Sequence, residues 1–263
     1  RPLPQGQGLP FRQRPLQEPD LAPGRKLRRL TSIALALGVA LGSALAPGAG
    51  HAQEKASPQS QAEAQDNRLL TAAMTAVGQG GFPALDPLLP ALREALLRAP
   101  AQYPTLEIEG ARILVRADEP AEYDALSKAA PASLLRRNPA ARATAVQAPN
   151  VYPDIAVVLA SEAMQRQRLP EALAYINRGL ALQPHMPGLV RQRAVVLQAL
   201  GRHAEALAFV DAELASGDMV LMLHRGALLR ARGFSLVELE RLDEARAAYV
   251  QSLEAEPGNA VAR

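Results

Sequence analysis

A nine-residue pattern written three times near the end of the chain constrains its fold most. It occurs as Arg168 to Ile176 (RLPEALAYI), Arg202 to Val210 (RHAEALAFV) and Arg241 to Tyr249 (RLDEARAAY). The Glu-Ala pairs stand 34 residues apart and then 39. Apolar residues at helical spacing precede and follow each copy, and the copies run out at Gln183-Pro184, Gly217-Asp218 and Glu256-Pro257. A period of this length accommodates two helices and their turns. A small residue at Ala172, Ala206 and Ala245 lets two helix backbones approach closely. Leu197, Leu200, Leu207 and Val210 are then left to bury against the next pair. One hairpin buries too little apolar surface to be stable alone, so the pairs must stack.

The pattern resembles the tetratricopeptide repeat (TPR) over about residues 153–263. Ala172, Ala206 and Ala245 match its small-residue slot. Tyr175 or Ile176, Val210 and Tyr249 match the large slot that follows, and Pro184 and Pro257 the terminal proline. Gly233 matches the glycine of the first helix, with Ala160 and Ala194 as small replacements, and Leu159 matches the leucine before it. Asp218, Arg193 and Arg232 depart from the pattern. The resemblance implies a mainly α fold: a TPR-like α-solenoid of three helix pairs, about 153–186, 187–220 and 221–259. The five extra residues near Leu221 to Arg225 predict a lengthened first helix in the third pair, from Met219 to Leu239.

The resemblance also implies a protein-interaction scaffold that holds a protein or peptide on its concave face. Helix phase places Val157, Ser161, Met164, Arg191, Val195, Gln198, Arg230, Phe234 and Val237 there. Arg191 and Arg230 occupy corresponding slots one unit apart, suited to gripping a carboxylate or an extended acidic peptide; the bland alternative is a pair of solubilising arginines. The lysine–asparagine clamp of the chaperone-tail-binding members is absent, since Val157 and Ser161 stand where its first pair belongs. Two other readings stay open. One is a non-catalytic repeat module of a longer, truncated enzyme of glycosyltransferase or protease type. The other is a self-associating envelope assembly protein, because Ala260 to Arg263 begins like a capping helix that a further segment or another chain would complete.

Charge and leader point to export. The formal charge is +3 over 263 residues. Seven basic and two acidic side chains fall in residues 1–52, leaving 22 basic against 24 acidic, a net −2, in residues 53–263. That body has no basic excess to recommend nucleic acid as a partner. Arg25-Lys26-Leu27-Arg28-Arg29 is followed by the uncharged run Leu30–Ala46, then Pro47-Gly48, then small residues up to Ala52. Positive, apolar, small is the order of a cleavable secretory signal, expected at 25–52 and implying the periplasm; left uncleaved, it would be a membrane anchor. Residues 1–24 read as a non-native or disordered extension. The chain has no cysteine, which excludes disulfides and thiolate metal sites.

Between leader and repeats, Gln53–Gln65 is polar and expected to be a flexible linker. Residues 66–150 read as a small α+β region of unassigned role. Helices are expected at Asn67–Val77, stopped by Gly78-Gln79-Gly80-Gly81, and at Pro83–Arg98. Alternation in Thr105–Ala117 predicts one β-hairpin. A short helix from Pro120 to about Ala130 follows, then loop to Asn150.

No catalytic constellation stands out. His185, His203 and His224 lack paired ligand spacing and read as surface or packing residues; no metal or cofactor is assigned. Val77–Gly81 lacks the Lys-Ser/Thr of a phosphate loop. Glu238, Glu240, Asp243 and Glu244 read as a solvated helix end.

Overall fold

The computed structural model describes residues 58–109, 112–137 and 144–257. The extension at 1–24, the signal at 25–52, the hairpin turn at Gly110 and the segment from Gly258 lie outside the described residues. From Val151 onward the chain forms helix pairs. α4 (Val151–Gln165) pairs with α5 (Leu169–Leu182), and α6 (Pro187–Ala199) with α7 (His203–Ala215). α8 (Met219–Leu223) and α9 (Arg225–Glu238) precede α10 (Leu242–Ala255), the partner of α9. The first helices α4, α6 and α9 touch in series and form one layer.

The same turn closes each pair. Gln167, Gly201 and Glu240 adopt left-handed φ values of 59°, 73° and 60°. The next amide, on Arg168, Arg202 or Arg241, donates to the carbonyl of Ala163, Leu197 or Leu236 at 2.8–2.9 Å. This satisfies a carbonyl that the helix end orphans. Each arginine then pairs with the glutamate three residues on, Glu171, Glu205 or Glu244.

Small residues sit at the crossings as the pattern requires. Ala160, Ala172, Ala194 and Ala206 are fully buried and Ala245 nearly so. A Cβ on Gly233 would stand 2.9 Å from the Tyr249 ring, so the glycine makes room for that tyrosine. Val210 is fully buried. In the first unit Ile176, not Tyr175, fills the large slot. The Tyr175 hydroxyl accepts from Arg93 Nε at 2.9 Å and donates to Glu171 at 2.8 Å. Pro184 and Pro257 are exposed in their turns.

The third pair corrects one expectation: the helix from Met219 to Leu239 is broken at His224. Asp218, which departs from the proline pattern, instead caps α8. Its Oδ1 accepts from the amides of Val220 and Leu221 at 3.0 and 2.9 Å, as a good N-cap carboxylate does.

The residues before the repeats are packed onto them. α1 (Pro58–Gly80), a 3-10 turn (Phe82–Leu85) and α2 (Leu89–Leu97) contribute Leu70, Ala73, Leu85, Leu92 and Leu96 to the same core as Ile155 and Leu159 of α4. α1 begins inside the expected linker, so Pro58–Gln65 is helix, while Gln53–Ser57 lies outside the described residues. Proline suits a first helical turn, and Gln, Ala and Glu sustain it. Tertiary contacts then hold it. Tyr103 Oη donates to Glu63 at 2.6 Å and accepts from the Val151 amide at 3.2 Å, and buried Asp66 pairs with Arg98.

The expected hairpin is present: β1 (Leu106–Glu109) runs antiparallel to β2 (Arg112–Arg116), pairing Ile108 with Ile113. Two features of 118–150 differ from expectation. α3 spans Pro120–Arg137, past Ala130, and β3 (Thr144–Ala148) joins β2 in parallel where a loop was expected. A parallel neighbour needs a long crossover, and α3 supplies it. Ile113, Val115, Leu126 and Ala130 form a second small core, into which Val220 of α8 inserts.

Candidate functional site

The layer α4–α6–α9 sorts the residues that helix phase assigned to a binding face. Arg191 is exposed and makes no hydrogen bond or ion pair among the described residues. Val157, Met164 and Val195 are partly exposed. Val237 is 42% exposed. These five remain available to a partner.

Three others do not behave as a free surface. Ser161 is buried and its Oγ accepts from Gln192 Nε2 at 2.8 Å. Gln198 Nε2 donates to the Ala231 carbonyl and to Ser235 Oγ at 2.8 and 2.9 Å. Gln192 and Gln198 therefore tie α6 to α4 on one side and to α9 on the other. Arg230 donates to Glu256 at 2.7 Å and to Ser252 Oγ at 3.2 Å. A guanidinium so paired is not the second half of a grip, which corrects the symmetric reading of Arg191 and Arg230. Phe234 is 43% exposed and remains accessible as Val237 does, with its ring centroid 6.1 Å from that of His203 at the start of α7.

A second arrangement escaped the sequence reading. Where the sheet region meets the repeats, a cleft of about 360 Å³ is lined by Arg116, Asp118, Glu122, Asn150, Gln183, His185 and Asp218 among other residues. Asn150 and Gln183 exchange amide hydrogen bonds at 3.1 and 2.7 Å, and Asn150 also donates to Asp118. Glu122 is nearly buried. One of its oxygens accepts from the Asp118 amide at 3.0 Å, and the other lies 2.8 Å from His224 Nε2. Burial, with Glu122 alongside, pushes the Asp118 carboxyl up to about 6. Burial also holds Asp154 well above the ordinary carboxylate range, with Asp118 and Glu122 adding to it. Glu119, Glu122 and His224 each bring a potential ligand atom within 4.8 Å of the others. This departs from the reading of His224 as an isolated packing residue. The one sequence signal was its place within the five-residue insertion. His185 and His203 face single carboxylates, Glu213 at 2.9 Å and Glu238 at 3.8 Å.

No family model and no curated protein matches the chain. Among solved structures, the first TPR domain of Spaghetti (RPAP3), bound to an HSP90 peptide, is 25% identical over 41% of this chain and 83% of its own, at a TM-score of 0.36. The first TPR domain of human RPAP3 is 26% identical over 42% and 85%, at 0.37. A tetratricopeptide repeat protein from Parabacteroides merdae ATCC 43184 is 15% identical over 77% and 56%, at 0.46. A recurring left-handed turn, a small residue at each crossing and first helices in series make residues 151–257 a TPR-like α-solenoid of three stacked units.

Proposed function

We propose that the chain is an exported, non-catalytic scaffold that binds a protein or peptide along the α4–α6–α9 layer. The observation that carries this reading is Arg191. It is an exposed guanidinium with no partner among the described residues, one turn before the partly exposed Val195 of α6, in the layer that also carries the partly exposed Val157 and Met164 of α4. An unpaired cation beside apolar surface suits a partner segment that presents a carboxylate and short apolar side chains. Because Arg230 is already paired, the grip is single, and affinity must come from the apolar contacts as well.

The test is binding of fluorescent extended peptides to the full chain, acidic sequences against neutral ones of the same length. Acidic peptides are expected to bind more tightly, and Arg191→Glu to remove the preference. Equal binding of both sets, or a preference unchanged in Arg191→Glu, refutes the reading.

The periplasmic placement rests on the order of residues 25–52, and among the described residues no helix is long and apolar enough to cross a membrane. Fusing that segment to a reporter that is active only outside the cytoplasm tests it; an inactive reporter would return the scaffold to the cytoplasm.

A further inference from the structure

We propose that Glu119, Glu122 and His224 form a binding site for a divalent transition-metal ion, of the zinc class, that pins α3 to the break between α8 and α9. The proposal concerns a different surface from the α4–α6–α9 layer and stands or falls independently of it.

The donor set is mixed. Two carboxylates and one imidazole offer oxygen and nitrogen ligands whose atoms all lie within 4.8 Å of one another. Imidazole with carboxylate suits zinc, cobalt or nickel, whereas calcium and magnesium favour oxygen alone. Three protein ligands leave a further coordination position for water, the arrangement of open zinc sites.

The ligands come from distant parts of the chain that the fold holds together. Glu119 immediately precedes α3, its carbonyl accepting from the Tyr123 amide at 3.0 Å, and Glu122 lies in the first turn of that helix. Glu122 is only 4% exposed, and the Asp118 amide fixes one of its oxygens. His224 lies 102 residues further on, where the helix of the third unit breaks, and its side chain is 12% exposed. The break is what directs the imidazole at α3. The five residues that spoil the 34-residue period therefore deliver a ligand that an unbroken repeat would not place there.

The local charge is unbalanced. Among the described residues, no lysine or arginine forms an ion pair with Asp118, Glu119 or Glu122; Arg116, which lines the neighbouring cleft, pairs with Glu63 and Glu107. A bound dication would offset this negative charge, and the exposed Glu119 leaves the cluster open to solvent.

The experiment is titration of the full chain, stripped with a chelator, with Co²⁺ followed by visible absorption and with Zn²⁺ in competition. One equivalent is expected to bind, with a cobalt d–d spectrum of nitrogen–oxygen character and a raised thermal midpoint. His224→Gln and Glu119→Gln are each expected to weaken binding at least tenfold. Glu119 is exposed, so its variant keeps the test valid if His224→Gln fails to fold. No binding, or binding that neither variant weakens (an adventitious ion only), overturns the proposal.

Discussion

Replacing Gly179 by alanine tests whether close approach of helices holds this array together. In an exposed helix the change would stabilise by roughly 1 kcal/mol, because glycine is the poorer helix former. Gly179 is buried within α5, however. A Cβ there would stand 2.5 Å from Leu189 Cδ1 on α6 and 2.9 Å from Ala156 Cβ on α4. The leucine can turn away, at a cost of about 0.5–1.5 kcal/mol for leaving its rotamer. The alanine Cβ can yield only if the α4 backbone moves, and overpacking of this kind costs roughly 1–3 kcal/mol. The cost outweighs the propensity gain, so Gly179→Ala is expected to destabilise by about 1 kcal/mol. For a chain of this size that lowers the midpoint by roughly 2–4 °C. Gly179→Val should be worse. Gly188→Ala is the control, since its Cβ would meet nothing nearer than 3.7 Å, and it should be neutral or slightly stabilising. Urea unfolding of the full chain, followed by circular dichroism at 222 nm, reads all three. A Gly179→Ala chain as stable as the native one would refute the tight crossing of α4, α5 and α6.

Three further outcomes are expected. Gln167→Gly and Glu240→Gly should each stabilise by about 0.5–1 kcal/mol, because both residues hold left-handed φ where a side chain is strained; equal or lower urea midpoints would show that the turns carry no strain. Because burial raises the Asp154 carboxyl in the fold, the folded chain keeps a proton that the unfolded chain has already released. Stability should therefore fall as pH rises from the ordinary 3.8 through the raised value, and Asp154→Asn should raise the thermal midpoint at pH 7 while changing little below pH 3.8. A midpoint that drops at pH 7 in that variant would contradict it. Tyr103→Phe removes the donor to Glu63 and leaves the Val151 amide without its acceptor. A loss of about 1–3 kcal/mol is expected, with faster proteolysis within α1, and native resistance would mean that α1 is held by apolar contact alone.

The repeat was legible in the sequence because its determinants are local. Small residues and apolar residues at helical spacing specify a hairpin without reference to anything distant. Its turns were not legible, since left-handed backbone at Gln167 and Glu240 carries no glycine to announce it. β3 was hidden for the opposite reason. Thr144–Ala148 has weak strand character of its own and is fixed by a parallel partner beyond a helical crossover. At the candidate site, helix phase gave direction but not neighbours. It put Arg191 and Arg230 in equivalent slots, and in the fold Arg191 is exposed while Glu256, just past the end of α10, takes Arg230. Ser161 and Gln198 face where the phase sends them, but α6 and α9 are close enough there to engage both.

The insertion in the third unit shows why a break in period can be informative. A five-residue excess cannot be absorbed within a continuous helix without turning its apolar stripe by more than a full revolution relative to the stack. Breaking the helix at His224 solves this. It frees α8 to serve two cores at once: Leu221 joins the main core with Leu228, while Val220 enters the small core under the sheet. α9 then resumes the repeat register, with Gly233 against Tyr249. The region before the repeats is thus held at both ends of the array, by α1 and α2 on α4 and by α3 on α8. The described part of 58–148 therefore packs on both the first and the third unit, and any partner bound on the α4–α6–α9 layer meets a stack braced at those two points.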